Sequence, residues 1–125
     1  ANNRIYLDGV SQTLSTNTID TTSIPNNFQY IGIGDDSGNE PFEGSIDEFA
    51  IWNVALDADA VLTIYNSGAP IALDIDTGNY DYSSNLKNWY RMGDGDTFPT
   101  ITNHKGTLDG TMTNMDSGDI TADTP

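Results

Sequence analysis

The stretch "GSIDEFAIWNVALDADAVLTIYNSG", residues 44–68, decides the fold. Its first part reads as a strand, and successive side chains of a strand point to opposite faces. One face would carry Ile46, Glu48, Ala50 and Trp52. The other face would carry Asp47, Phe49 and Ile51. Because both faces are largely apolar, the pattern predicts a strand enclosed between the two layers of a sandwich.

A short helix is predicted directly after this strand. Asp57 is a favourable N-cap residue, and Val61 and Tyr65 recur at helical spacing. Gly68 is typical of a helix end. The pattern therefore predicts an amphipathic helix over 57–66, which we expect to cover one end of the sandwich.

Composition limits the classes of partner. The chain has 125 residues, which suits one domain, and 19 acidic against 4 basic residues give a formal net charge of -15. Such a surface is repelled by nucleic acid and by anionic membranes, and we expect neither nucleic-acid binding nor membrane insertion. The acidity suits solubility in a salty or extracellular setting. Alternatively, some carboxylates hold divalent cations, and calcium prefers such oxygen ligands.

The rest of the chain divides into three segments. Residues 1–69 form a first block that also contains a hairpin signal at Asp8-Gly9 and the alternating strand "FQYIGIG" (28–34). Residues 70–85 are polar and irregular, which predicts a solvated linker. Residues 86–125 form a second block, with the strand "LKNWYRMGDG" and a second hairpin signal at Asp109-Gly110. The tail after 114 is expected to be extended or frayed.

These motifs carry a family resemblance over residues 4–68. "RIYLDGV", "FQYIGIG" and "FEGSIDEFAIWNVALDADAVLTIYNSG" stand in the order found in the C-terminal half of laminin-G-like domains. In that family a basic-apolar-Tyr-apolar-Asp-Gly hairpin precedes a strand ending in Ile-Gly. A Gly-x-apolar-Asp-Glu strand and a short helix then follow. The resemblance implies an all-β fold, a concanavalin A-like jelly-roll β-sandwich with one short α-helix near 57–66.

The second block resembles the opening of the same fold. "NWYRMGDGDTFPTITNHKGTLDGTMTN" matches an aromatic first strand, a Gly/Asp turn and a Gly-rich segment, with Asn103 in place of the usual Asp. The stretch "WYRMGDGDTFPTI" is also similar to C-terminal parts of proteins from tailed marine bacteriophages. The C-terminal half of the fold therefore precedes its first strands, and the central strands are missing.

Three arrangements explain this order. The chain is a fragment or exchanged module of a longer surface protein, which we favour, or a reduced circular permutation, or a chain whose last strands complete a neighbour's sheet. Since the first and last strands of a jelly roll lie side by side, 86–92 could pair with 46–52 within one chain. Exposed edges and apolar faces would favour a homo-oligomer or a larger assembly.

The resemblance also implies a calcium site. In many jelly rolls of this type the residue matching Asp47 binds calcium, and Asp94 and Asp96 of the "GDGD" turn, with Gly93, are its candidate partners here. Alternatively, Asp47 accepts hydrogen bonds from the backbone or from Arg91. Catalysis is not expected: the Glu-x-Asp-x-x-Glu strand of the related glucanases is missing, and the lone His104 lies in a loop.

Exposed aromatic side chains beside polar loops are typical of sugar sites. The candidate ligand-binding residues are Asp35, Asp36, Asn39, Tyr80 and Tyr82. The remaining aromatic candidates, Trp52, Trp89 and Tyr90, are expected in the core. The sequence thus favours a non-catalytic carbohydrate-binding or adhesion module of an extracellular, cell-surface or virion protein that recognises a glycan or polysaccharide. The alternative is a structural subunit or decoration domain that assembles by sheet completion without binding glycans.

Overall fold

The computed structural model describes residues 3–15, 31 and 42–121. The strands in these residues are short and form three two-stranded antiparallel sheets. The elements are β1 (Tyr6–Leu7), β2 (Val10–Ser11), β3 (Phe49–Trp52), α1 (Ala58–Tyr65), β4 (Leu86–Tyr90), β5 (Thr100–Ile101) and β6 (Gly110–Thr111). Short 3₁₀ turns lie at Asn66–Gly68, Ser83–Asn85 and Ser117–Asp119. In this part of the chain, β structure with one α-helix is what the sequence predicted.

The first hairpin forms where the Asp-Gly pair predicted it. Leu7 pairs with Val10 across the turn, and Asp8 and Gly9 both have positive φ, 51° and 74°. Two left-handed residues are the signature of the tight hairpin turn whose twist matches its strands. The turn rests on α1: a Cβ added at Gly9 would lie 2.9 Å from Cδ1 of Tyr65. Glycine is therefore required here both by conformation and by space.

The main sheet joins the two blocks within one chain. β3 and β4 pair Phe49 with Tyr90 and Ala50 with Trp89, and the register shifts before Trp52 pairs with Leu86. This is the pairing expected of neighbouring last and first strands. β3 is shorter than the sequence predicted, because Glu48 has φ 49° and so interrupts the extended backbone ahead of Phe49.

The predicted helix is confirmed, including its N-cap. Oδ1 of Asp57 accepts a hydrogen bond from the Ala60 N–H at 2.8 Å, which satisfies one of the free donors of the first turn. The helix ends at Asn66, whose φ of 40° is left-handed and whose N–H bonds the Leu62 carbonyl. The caps at Asp57 and Asn66 therefore agree with the predicted span 57–66.

The core shows that residues 70–85 are not a solvated linker, and that prediction is wrong. The buried hydrophobic residues of the described structure are Ala60, Leu73, Tyr80, Leu86 and Trp89. Two of them belong to the segment, Leu73 and Tyr80, with exposed fractions of 3% and 0%. A mainly polar sequence can still be ordered by a few apolar anchors, since each large buried side chain contributes about 1.5–3 kcal/mol.

The second block departs from prediction at its hairpin. Asp109-Gly110 is not a two-residue turn; β5 and β6 are joined by the longer loop 102–109. The Asp109 carboxylate instead accepts a hydrogen bond from the Asn103 N–H at 2.9 Å. Near the tail, Asp116 and Asp119 cap a 3₁₀ turn reciprocally, so this part is ordered rather than frayed.

Candidate functional site

A pocket of about 230 Å³ lies between β3 and the segment that follows α1. Its walls combine one face of β3 with one helical residue and three residues beyond the helix. The lining residues are Glu48, Ala50, Trp52, Ile64, Pro70, Ile71 and Leu73. Ala50 and Trp52 alternate along β3, as one strand face requires, and Glu48 directly precedes the strand. The pocket is thus mostly apolar, with one carboxylate in its wall.

That carboxylate belongs to a network that ties β3 to β4. Glu48 Oε1 accepts a hydrogen bond from Arg91 Nε at 3.0 Å, and Glu48 Oε2 accepts one from Trp89 Nε1. The Arg91 guanidinium also forms an ion pair with Asp94 and lies 5.6 Å from the Trp89 ring centroid. One arginine therefore links two carboxylates and an aromatic ring, which suits its planar, multi-donor group.

The network limits the chemistry of the site. Glu48 and Asp94 both pair with Arg91, so each of these carboxylates already has a cationic partner. His104, which packs its ring 5.6 Å from Trp89, is exposed. The side chain of Glu48 keeps 19% of its surface exposed. A carboxylate has about four lone-pair positions, so Glu48 can still accept a hydrogen bond from a ligand in the pocket.

Sequence reasoning did not single out Glu48, although a signal was present. A carboxylate on the apolar face of a strand needs a partner, and Arg91 stands just after the strand that pairs with β3. Asp47, one residue away, was predicted instead as a calcium ligand or as an acceptor of hydrogen bonds from the backbone or from Arg91. Asp47 is exposed, and its Oδ1 accepts the Glu48 N–H at 2.8 Å, as the backbone alternative predicted. Arg91 pairs with the neighbouring Glu48.

The aromatic residues beside the pocket are structural. The Tyr80 hydroxyl donates to the Leu73 carbonyl at 2.7 Å and accepts from Trp52 Nε1 at 3.0 Å. Burial raises the pKa of Tyr80 above its usual 10.0, so the hydroxyl remains a donor. Tyr80 was predicted as an exposed ligand-binding residue; it is completely buried, so that expectation is wrong. Trp89 lies in the core and Trp52 packs against it, as predicted.

Tyr82 holds the same segment onto the helix. Its hydroxyl donates to Asp57 Oδ2 at 3.0 Å, and its ring centroid lies 6.3 Å from that of Tyr80. The Ala60 N–H and then the Tyr82 hydroxyl lower the pKa of Asp57 below 3.8, while the bond to Asp57 raises the pKa of Tyr82 above 10.0. Tyr82 is half-buried and its polar end is engaged; its role in ligand binding stays a prediction.

The three predicted metal ligands have other partners. Asp94 pairs with Arg91, and the Asp96 carboxylate accepts the N–H groups of Gly93 at 3.1 Å and Thr102 at 2.8 Å. Within residues 3–15, 31 and 42–121, no three His, Cys, Asp or Glu side chains are grouped so that they could hold a metal ion. Calcium binding by Asp47, Asp94 and Asp96 stays a prediction.

The other predicted ligand residues, Asp35, Asp36 and Asn39, lie outside the described residues, as does the predicted strand 28–34 apart from Ile31. Their proximity to the pocket and their role in binding stay predictions.

Asn103 organises the loop beside β4. Its Oδ1 accepts three backbone N–H groups, from Trp89 at 3.1 Å, Lys105 at 3.2 Å and Gly106 at 2.7 Å. Its Nδ2 donates on the other side, with Asn88 Oδ1 at 2.8 Å and the Leu108 carbonyl at 3.1 Å. The side chain is 8% exposed. At this position of the Gly-rich segment, the family that the second block resembles has Asp. An Asp carboxylate oxygen could accept the same backbone hydrogen bonds.

Comparison with known proteins gives a family match over the first block of the chain. Residues 1–62 match a laminin G family model described as the concanavalin A-like lectin/glucanases superfamily. The resemblance predicted from the motifs of the first block is confirmed over these residues. No curated protein and no solved structure matches the chain. In the described part of the chain, no helix is long and apolar enough to cross a membrane.

Proposed function

We propose that the protein is a non-catalytic carbohydrate-binding or adhesion module of an extracellular, cell-surface or virion protein. The observation that carries this proposal is the match of residues 1–62 to the concanavalin A-like lectin/glucanases superfamily. A fold family alone leaves function open. The described site adds support, because it combines an apolar pocket with a hydrogen-bond acceptor, the Glu48 carboxylate, held in place by Arg91.

The proposed scaffold is a jelly-roll sandwich. The pairing of β3 with β4 supports it, since this is the junction where the last and first strands of a jelly roll meet. The helix and the 70–85 segment close one face of that junction through Ala60, Leu73 and Tyr80. The sheet that holds the pocket is thus built from both blocks.

A glycan array probed with the full chain tests the proposal. We expect retention of at least one class of uncharged glycan, competed by the free sugar, because a net charge of -15 disfavours anionic ligands. Parallel arrays with calcium and with EDTA test the calcium prediction separately. Heat-unfolded chain serves as the control for non-specific retention. A folded chain that retains no glycan in either buffer would contradict the proposal.

A second candidate is a structural subunit or decoration domain, and one observation favours it. The first hairpin and the helix expose Leu7, Val10 and Leu62 by 63%, 62% and 57%. Gly9, between the two hairpin residues, lies against Leu62, since a Cβ there would be 3.1 Å from its Cδ1. These three residues form what we call the hairpin surface, and neighbouring apolar groups of this kind are typical of protein contacts.

Light scattering distinguishes this candidate. Assembly through the hairpin surface predicts an oligomer that the substitution Leu62→Glu converts to monomer. The matched control is Val54→Glu, at a side chain that is 42% exposed and outside the hairpin surface. A wild-type monomer over the whole concentration range would exclude this mode of assembly.

A further inference from the structure

We infer that the pocket beside β3 binds the methyl-bearing edge of an uncharged 6-deoxyhexose within a glycan. The inference rests on the proposed function and specifies the sugar class that this pocket selects. Three features lead to it. The pocket walls are apolar, Glu48 is the one side-chain acceptor, and the side-chain donor of the wall, the Trp52 indole N–H, is already hydrogen-bonded.

Size and polarity favour an apolar group of a few atoms. The pocket of about 230 Å³ is bounded by six apolar side chains from β3, α1 and the segment 70–73. A dry apolar cavity of roughly 150 Å³ is enough to hold a benzene-sized body. A methyl group and the adjacent ring edge of one sugar therefore fit, whereas a fully hydroxylated edge would lose its water without replacement partners.

The hydrogen-bonding groups of the pocket wall further limit the class of sugar that can bind. Glu48 is the one lining side chain that is charged, and it can accept from a ring hydroxyl. The indole N–H of Trp52 already donates to Tyr80. The lining side chains thus offer an acceptor but no available donor. An acetamido group would bring a carbonyl that needs a donor, so a deoxy sugar suits this pocket better than an N-acetyl sugar.

Charge excludes the acidic sugars. The only charged lining group is a carboxylate, and the chain carries a formal net charge of -15. The pocket wall offers uronic and sialic acids no cationic side chain, because Arg91 already pairs with Glu48, and the net charge of the chain repels them. The inferred ligand is therefore an uncharged 6-deoxyhexose whose methyl group points inward.

Two pairs of sugars that differ only at C6 test this inference on the full chain. L-fucose is compared with L-galactose, and L-rhamnose with L-mannose, by NMR titration. We expect at least one deoxy sugar to bind about tenfold or more tightly than its hydroxylated partner, because the extra hydroxyl would be buried without a partner. Equal affinities within both pairs, or a preference for N-acetylglucosamine, would overturn the inference.

A filled-pocket variant locates the binding. Ala50→Leu adds bulk to the pocket wall and should weaken deoxyhexose binding about tenfold or more. The matched control is Ala72→Leu, at an exposed residue that does not line the pocket, and its affinity should equal that of wild type. Undiminished binding by a folded Ala50→Leu variant would contradict the assignment.

A measurement on the wild type covers the case in which Ala50→Leu does not fold. The methyl signals of Ile64 and Ile71, which line the pocket, should shift on titration with the preferred sugar. If they do not shift while the sugar binds, the ligand sits elsewhere and the inference fails, although the proposed function stands. If the array retains no glycan at all, the proposed function and the inference fail together.

Discussion

At the scale of single residues, the buried polar side chains determine how the described structure is held together. Asn103, Tyr80 and Glu48 each make hydrogen bonds to groups far apart in sequence. Within residues 3–15, 31 and 42–121, no buried side-chain nitrogen or oxygen lacks a hydrogen-bond partner. Removing one such side chain leaves its hydrogen-bond partners buried with neither water nor another partner, which lowers the free energy of unfolding.

Asn103→Ala should destabilise the protein by about 3 kcal/mol, because three backbone N–H groups lose their common acceptor. Asn103→Asp should retain most of the stability, since a carboxylate can accept the same three bonds. Urea unfolding measures both, with Asn79→Ala, at an exposed position, as the control. Equal losses for the Ala and Asp variants would show that the Nδ2 contacts, rather than the Oδ1 contacts, stabilise the loop.

Tyr80→Phe should cost about 1–3 kcal/mol, because the Leu73 carbonyl and the Trp52 indole N–H would both lose their partner. Tyr82→Phe is the matched control, and we expect a smaller loss since that residue is only half-buried. Chemical unfolding followed by tryptophan fluorescence compares the two variants. A neutral Tyr80→Phe would support the original expectation that 70–85 is a solvated linker.

The residue scale also shows where sequence reasoning succeeds. Asp57 as N-cap and the Asp8-Gly9 turn were predictable because each depends on its immediate neighbours. The burial of Tyr80 was not, because its partners lie 7 and 28 residues away. Likewise, the sequence did not predict that Glu48 rather than Asp47 lies in the pocket wall. The backbone at Glu48 is left-handed, and no local sequence pattern indicates this.

At the scale of elements, two acidic residues fasten the 70–85 segment. Asp57 bonds Tyr82, and Asp76 Oδ1 accepts the Ser83 N–H at 3.0 Å. The pKa of Asp57 is lowered by Ala60 and Tyr82, and that of Asp76 by its hydrogen bonds to Ser83, both from 3.8. A carboxyl group with a lowered folded-state pKa contributes stability that is fully present well above 3.8 and is lost as the pH falls through the folded value.

We therefore expect the urea midpoint of the wild type to fall as the pH is lowered from 5 through 3.8. The double variant Asp57→Asn, Asp76→Asn should have a lower urea midpoint at pH 5, and its midpoint should fall less as the pH is lowered. Asparagine does not titrate, and it still caps the helix. The control is Asp59→Asn, within the first turn of α1. Parallel curves for wild type and double variant would contradict the assigned role.

The link between β3 and β4 should depend on arginine geometry. Arg91→Lys should cost about 1–2 kcal/mol, because one ammonium group cannot bond Glu48, pair with Asp94 and stack on Trp89 together. Lys87→Arg, an exposed exchange in β4, is the reverse control and should be neutral. Thermal unfolding at low and high salt compares them. A neutral Arg91→Lys would mean that the network contributes little beyond charge, as exposed ion pairs do.

At the scale of the whole molecule, the main sheet and its pocket depend on the junction of the two blocks. The segment that matches the lectin/glucanases superfamily ends within α1, yet its last strand pairs with β4 and its pocket is closed by residues 70–73. The motifs predicted both blocks and the possibility of their pairing. They could not decide between pairing within one chain and pairing between chains, since both give the same strand contacts.

The most direct test of this junction is an isotope-filtered NMR experiment on labelled and unlabelled chains that have been unfolded and refolded together. A sheet formed within one chain gives the contact between Ala50 and Trp89, which face each other across β3 and β4, in the spectrum of the labelled chain alone. It gives no such signal in the spectrum that selects contacts between different chains. A strong Ala50–Trp89 signal in that second spectrum would contradict the account, because the sheet and its pocket would then belong to two molecules.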